Sequence, residues 1–295
     1  MRETAERTMI DTRIVSTSLG DVEIAVIEGR LPPVLFFPGG HCPADIDCGW
    51  DLYTRLGHGV VSFSRPGYGR TQVGDLTAAQ FVPAIEEVRS AVAPGAIAAV
   101  VGTSFGGMQA VHAAVSPRLA APRLVLHSAA PSTLSYPDSP AERAAGPIVF
   151  SPRIQHVSWA AISRLVSTER GLRLMCRSLS RLPPRRWWPT WTPQDRAQAR
   201  AIFQGMRSGR GFVNDLQQAT SDTRAQRRRV LEAVSCPTLI TGTRNDGGVD
   251  FAHAEDLAHV IRHARSVELE APNHLFWIGP QAEDARHAVR DFMND

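Results

Sequence analysis

The run AIAAVVGTS, Ala96 to Ser104, constrains the fold more than any other stretch of the chain. It is short and apolar until it ends in Gly-Thr-Ser. A strand of that composition has no polar face to give to water, so it must be covered on both sides, as central strands of a parallel sheet are. Behind it, FGGMQAVHAAVS has helical spacing and RLVLHSAA reads as the next strand. The same alternation runs ahead of it. RIVST and VEIAVIE flank SLGD, a hairpin around Gly20-Asp21. PVLFFPGG is a buried strand ending in glycines, and VVSFSRPGYGR is a strand running into a Pro-Gly turn. LTAAQFVPAIEEVRSAVA is helical, with Pro83 near its first turn.

The rhythm breaks at Pro131. From there to Glu232 no run is strand-like, and helical patterns such as QHVSWAAISRLVS and QDRAQARAIFQGMRS take over. Thr192-Pro193-Gln194-Asp195 is a helix start, with Thr as N-cap, Pro at the first helical position and an acid in the first turn. LPPRRWWPTW is a Pro-rich elbow carrying Trp187, Trp188 and Trp191. The alternation then resumes with PTLITGT, FAHAEDLAHVIRH, SVELEA and a closing helix from Gln281. Repeated β-α-β order implies right-handed crossovers and a parallel sheet with helices on both faces. We expect residues 1–133 and 233–295 to form that α/β core, and residues 134–232 to form a helical cap. Such a cap would sit over the carboxyl edge of the sheet, where ligands bind in open α/β folds.

Composition narrows the function classes. At 43% hydrophobic and 21% charged the chain reads as an ordinary soluble protein. No run is long enough to span a bilayer, and MRETAERTMIDTR lacks the apolar core of a signal peptide, so a cytoplasmic location is expected. Cys42, Cys48, Cys176 and Cys236 are too few for a disulfide framework and read as free thiols. All 32 basic residues are Arg, which excludes a Schiff-base lysine, a P-loop lysine and a Ser-Lys dyad. The charge is uneven: residues 134–232 hold 17 Arg against 7 acids. That excess hints at an anionic small-molecule substrate or partner, and solvated helix faces are the plainer explanation. Neither nucleic acid nor membrane is expected as a partner.

The chemistry concentrates in VVGTSFGGMQA, where Gly102-Thr103-Ser104-Phe105-Gly106 forms Gly-x-Ser-x-Gly between an apolar strand and an amphipathic helix. On so sharp a turn, side chains at 102 and 106 would collide, and the Ser104 hydroxyl is pushed above the sheet. The Phe105 N–H falls at a helix start, where the dipole favours developing negative charge. A serine nucleophile needs a base, and the base needs an orienting acid, in the chain order Ser, acid, His. His274, in LEAPNHLFW, is the only His immediately beyond the last strand. In TRNDGG an Asn cannot balance an imidazolium, so Asp246 is preferred to Asn245, with Asp250 next.

With these motifs in order, the chain resembles the α/β-hydrolase superfamily over most of its length. FPGG resembles the family's His-Gly oxyanion loop, SRPGYGRT (Ser64 to Thr71) its next turn, GTSFGG its nucleophile elbow, and TRND with NHLFW its acid and His ends. Pro38 stands where His is usual, and Asn273 where Gly is common. The resemblance implies an eight-stranded, mostly parallel sheet with a helical cap inserted after the sixth strand. It also implies catalytic Ser104, His274 and Asp246, with no cofactor. Pro38-Gly39 take the His-Gly place, so Gly40 offers a second oxyanion N–H opposite that of Phe105.

FFPGGHCPADIDCGW, Phe36 to Trp50, packs His41, Cys42, Asp45, Asp47 and Cys48 behind the glycines. Adjacent His41 and Cys42 side chains tend to diverge and Pro43 stiffens the link, so a pocket-lining loop is preferred to a metal site or a Cys42–Cys48 disulfide. Gly39 and His41 then join Gly40 and Phe105 as substrate-binding candidates, and Asp45 is expected to cap the following short helix. The set supports attack on an acyl carbon through an acyl-enzyme, as in an esterase, lactonase, thioesterase or amidase. Two other readings stand beside it. SFGGMQA resembles the elbow of homoserine O-acetyltransferases, which points to an acyltransferase with an anionic, acyl-carrier or coenzyme A donor. A non-catalytic ligand-binding protein on the same fold is the other. The three Trp either line an acyl pocket or pack the cap onto the body.

Overall fold

Strands at the centre of the molecule send successive side chains to opposite faces, and both faces are buried. A computed structural model describes the backbone of residues 10–138 and 140–295 and all side chains in those stretches except 140–143. Residues 1–9 of the stretch read above for a targeting signal lie outside the described residues. The strands are β1 (Asp11–Thr17), β2 (Gly20–Ile27), β3 (Leu31–Phe37), β4 (His58–Phe63), β5 (Ala99–Thr103), β6 (Leu124–His127), β7 (Thr238–Gly242) and β8 (Ala264–Glu268). On β3, Val34 and Phe36 enter one hydrophobic cluster while Leu35 and Phe37 enter the other. On β5, Ala99 and Val101 part from Val100 in the same way. This two-sided burial is why the apolar runs show no polar alternation.

The eight strands form one sheet in the order β1-β2-β4-β3-β5-β6-β7-β8. The β1–β2 and β2–β4 pairs are antiparallel, and all pairs from β3 onward are parallel. Helices α1 (Asp51–Thr54), α2 (Ala78–Val92) and α3 (Gly106–Ala114) lie within the first block. Thr77 and Gln80 form a capping box at the start of α2, which places Pro83 in its second turn. The short α1 corrects one expectation. Asp47 Oδ1 accepts from the N–H groups of Gly49 and Trp50, both at 2.8 Å, whereas Asp45 is exposed. Asp47 stands two and three residues before those donors, the reach of a short acidic side chain.

A helical cap is inserted after β6. It contains α4 (Pro140–Val149), α5 (Gln155–Val166), α6 (Glu169–Ser178), α7 (Pro193–Gly205) and α8 (Gly211–Ser221). Helices α5, α6 and α7 pack on one another and α4 on α8, whereas α9 (Arg224–Glu232) packs on α3 and on α10 (Phe251–Val260). The chain ends in α11 (Ala282–Asn294). Thr192 and Asp195 form the expected capping box on α7. Trp187, Trp188 and Trp191 pack on each other, each under 8% exposed, with the Arg196 guanidinium 5.0 Å from the Trp188 ring centroid. Among the described residues no helix is long and apolar enough to cross a membrane.

One buried base gives the core a pH signature. His127, wholly buried at the end of β6, bonds the Tyr53 hydroxyl at 2.9 Å and the Thr241 hydroxyl at 2.6 Å. Burial pushes its pKa down to about 3. Above the ordinary histidine value the imidazole is neutral in both folded and unfolded chains. As pH falls from there toward 3, the unfolded chain takes up a proton that the fold refuses, so stability is lost across that window. We predict that His127→Gln reduces the loss of unfolding free energy between pH 7 and pH 4 by about 3 kcal/mol relative to the parent, read from urea melts. Equal losses in both proteins would show that His127 titrates normally in the fold.

Candidate functional site

The Gly-x-Ser-x-Gly turn joins β5 to α3 with no room for side chains around the serine. A Cβ on Gly102 would lie 2.6 Å from the Gly106 carbonyl oxygen, and one on Gly106 would lie 2.0 Å from the Phe37 carbonyl oxygen. Ser104 between them sits at φ 53°, in the left-handed region that costs a non-glycine residue about 1–3 kcal/mol. The surroundings hold it there: Ser104 N–H donates to the His127 carbonyl at 3.0 Å, and the Ser104 carbonyl accepts from Gly107 and Ala130 N–H. The hydroxyl therefore stands above the carboxyl edge of the sheet, where it lines a cavity.

His274 lines the same cavity, 12% exposed, and its Nδ1 lies 2.7 Å from Asp246 Oδ2. Burial pulls the imidazolium down, but the Asp246 charge and hydrogen bond together hold its pKa above the ordinary value. Asp246 is buried at 2% exposure, and its Oδ1 accepts from Gly248 and Val249 N–H at 2.7 and 2.9 Å. Asp250 has other work: it caps α10 through Ala252 N–H and pairs with Arg181. Ser104 and His274 face one cavity without a hydrogen bond between them, a separation common before substrate binds.

The cap fixes the two loops that carry Asp246 and His274. The Leu179 carbonyl, just past α6, accepts from His274 N–H at 2.9 Å and from Gly247 N–H at 3.0 Å. A Cβ on Gly247 would lie 2.6 Å from Ser180 N, so this close approach needs glycine. Arg181 Nε donates to the Asp246 carbonyl at 2.8 Å.

Across the cavity, the Pro38–His41 loop faces the turn at Ser104. Neither the Gly40 nor the Phe105 N–H bonds to another described residue. Sequence reasoning missed what holds this loop. Buried Arg65, in SRPGYGRT, donates through Nε to the Pro38 carbonyl at 3.1 Å and through an Nη to the Gly39 carbonyl at 3.2 Å. Its other Nη meets Asp215 on α8 at 2.5 Å, and the Tyr68 hydroxyl donates to the second Asp215 oxygen at 2.6 Å. The available signal was an Arg directly after an apolar strand, since a buried guanidinium requires a carboxylate partner.

The cavity encloses about 490 Å³. Gly39, Gly40, His41 and Phe105 all line it, as do Cys42 and Cys48. The neighbouring Cys42 thiol and burial push the Cys48 thiol well above its ordinary pKa. His41, at φ 65°, packs with ring centroids 3.8 Å from Phe212, 4.4 Å from Phe150 and 5.1 Å from Trp159. Its Nδ1 meets the Ser208 hydroxyl at 2.8 Å, and burial and then the Arg65 charge push it down to about 3, so it is neutral. No Arg, Asp or Glu lines the cavity among the described residues, and Trp187, Trp188 and Trp191 lie elsewhere. Gln109 of the Gly-Gly-Met-Gln-Ala run is buried, donating to the Ala78 carbonyl at 2.8 Å. Among the described residues no group of three or more His, Cys, Asp or Glu is placed to hold a metal ion.

This fold has known counterparts. The sequence profile of the alpha/beta hydrolase family matches residues 27–291, and the chain belongs to that family. It is 29% identical over 281 residues to the uncharacterized hydrolase YcgS of Bacillus subtilis (strain 168), covering 93% of this chain and 95% of that one. Among solved structures it is similar to an alpha/beta hydrolase fold protein from Nakamurella multipartita, with a TM-score of 0.70 at 20% identity over 96% of this chain and 99% of the other. A thermophilic esterase from Thermogutta terrifontis superposes with a TM-score of 0.67 at 20% identity, over 96% and 98% of the two chains.

The Arg65–Asp215 pair generates a stability prediction. Asp215→Ala leaves a buried guanidinium without its carboxylate and should cost about 3–5 kcal/mol in denaturant melts. Arg65→Met with Asp215→Leu removes both charges and should cost less than the single change. A double variant at least as unstable as Asp215→Ala would show that the pair contributes net attraction.

Proposed function

We propose that the protein is a serine hydrolase that cleaves uncharged carboxylic esters with an apolar acyl group through an acyl-enzyme. The observation that carries this reading is the 2.7 Å pair of His274 Nδ1 and Asp246, backing an imidazole that shares its cavity with the strained Ser104. In this mechanism Asp246 orients the ring and stabilises its charged form, His274 takes the Ser104 proton, and Ser104 Oγ attacks the acyl carbon. The oxyanion forms between the Phe105 and Gly40 N–H groups, each of which supplies roughly 10²–10³ in rate in sites of this kind. His274 then protonates the leaving alcohol, and water attacks the acyl-enzyme in the reverse sense.

The substrate class follows from the cavity wall. Phe150, Trp159, Phe203, Phe212 and Trp277 give it an apolar lining, and its two imidazoles are the only basic side chains there among the described residues. A charged acyl group would be desolvated without a partner. The Arg excess of residues 134–232 therefore supports no anionic substrate inside the cavity. Gln109 joins α3 to the start of α2, so the resemblance of SFGGMQA to acetyltransferases is accounted for by packing. The esterase among the structural neighbours shares the fold and agrees with this reading.

A fluorophosphonate probe should label the protein, and Ser104→Ala should remain unlabelled while folding normally. Absence of labelling in the folded parent would favour the non-catalytic reading. Product diverted to an added alcohol with negligible hydrolysis would favour acyl transfer. The pH profile gives a second prediction. Activity on a p-nitrophenyl ester should fall as pH drops through the His274 pKa, which Asp246 holds above the ordinary histidine value. Asp246→Asn removes both raising causes and leaves burial, so kcat/KM should fall by about 10⁴ and the midpoint should move to lower pH. An unmoved midpoint would remove Asp246 from its role.

A further inference from the structure

The arginines of the cap line no part of the cavity, and beside them runs an apolar stripe left exposed among the described residues. Among the described residues, the large exposed apolar side chains beyond Leu31 all fall between residues 148 and 174. Ile148 is 66% exposed, Val157 60%, Leu174 55% and Ile154 45%. Along α5, Ile154, Val157, Ala161 and Leu165 recur at helical spacing on one exposed face, whereas Trp159 and Val166 point inward. Arg153 and Arg164 border this stripe, and Arg170, Arg173 and Arg177 surround Leu174 on α6. All five arginines are exposed, and none forms an ion pair with a described residue. The one acid of this segment, Glu169, is already paired with Arg196 and Arg200.

The inner faces of the same two helices line the cavity, through Trp159 and Ile162 on α5 and Met175 and Ser178 on α6. Val149, just ahead of them, is both 41% exposed and part of the cavity wall. The two helices thus form both part of the cavity wall and this outer face.

We propose that the outer face of α5 and α6 docks on an anionic phospholipid surface, with Ile154, Val157, Leu165 and Leu174 entering the apolar boundary and the five arginines meeting lipid phosphates. Basic and apolar residues interleaved on one helix face suit such a surface. Each arginine near an anionic leaflet contributes about fivefold in partitioning. The charge argues against a second copy of the chain as occupant, because a symmetric contact would bring these unpaired arginines onto one another. This surface departs from the expectation of no membrane partner and would put the anionic ligand on the outside of the cap instead of in the cavity.

The test is flotation of the full chain with vesicles of equal parts phosphatidylglycerol and phosphatidylcholine, against pure phosphatidylcholine. The protein should float with the anionic vesicles, bind the neutral ones at least tenfold less, and be released by about 0.5 M salt. Arg164→Gln with Arg173→Gln should lower partitioning by about 25-fold, and Val157→Asp should lower it at unchanged thermal stability. Ser104→Ala should bind as the parent does, which separates this result from that of the catalytic reading. The proposal is overturned if the anionic vesicles are not bound, if neutral vesicles are bound equally, or if the arginine variant binds unchanged. It is also overturned if the parent ignores vesicles but sediments as a dimer that Val157→Asp dissociates, since the stripe would then be a self-interface.

Discussion

The site depends on one steric constraint, the turn at Ser104, where two glycines leave no space for a Cβ and the serine is held at φ 53°. That conformation is unfavourable for the residue alone and is maintained by what surrounds it. The carbonyls of Phe37, at the end of β3, and of Pro38, just past it, press against Gly106, and the amide and carbonyl of Ser104 bond to the neighbouring strand end and to Ala130. These contacts exist only when β3, β5 and β6 are adjacent and parallel. The strain in the turn and the order of the sheet are therefore one arrangement, and a change in either displaces the hydroxyl.

A second constraint joins the core to the cap. The Arg65 guanidinium holds two carbonyls of the Pro38–His41 loop on one side and Asp215 of α8 on the other. Burial opposes both charges, and only their pairing with the Tyr68 hydroxyl makes the arrangement tolerable. The Leu179 carbonyl does the corresponding work for the loops of His274 and Gly247. The cap is thus a structural part of the site as well as its cover. Displacing it would free the proposed oxyanion loop and the proposed base together.

The cap also has two unlike surfaces. Its inner wall is aromatic and without described charges, and its outer face mixes apolar side chains with unpaired arginines. The reading of the Arg excess as a sign of an anionic substrate would take the segment as one chemical unit, whereas solvated helix faces, the plainer explanation, divide it. On a helix, residues three and four apart share a face while those between point the other way.

Much of this was legible from the chain. The alternation of apolar strands and helices, the Gly-x-Ser-x-Gly turn and the order Ser, acid, His are local patterns read along the backbone, so Ser104, Asp246 and His274 could be named as candidates without coordinates, and the fold sets Ser104 and His274 on one cavity with Asp246 2.7 Å from His274. Asp45 was expected to cap α1, but the helix starts at Asp51 with no side-chain cap, and it is Asp47 that bonds the turn just ahead of it. The partnership of Arg65 with Asp215 spans 150 residues, and no local pattern records it. Neither did any mark that Phe150, Trp159 and Phe212 would enclose His41 while three other tryptophans packed elsewhere. By itself the sequence determined the periodicity of each element and the glycines a sharp turn demands, since these act between near neighbours. Tertiary structure alone decided which charges met, which aromatic rings faced the cavity and which arginines were left outside, because those depend on contacts between segments remote in the chain.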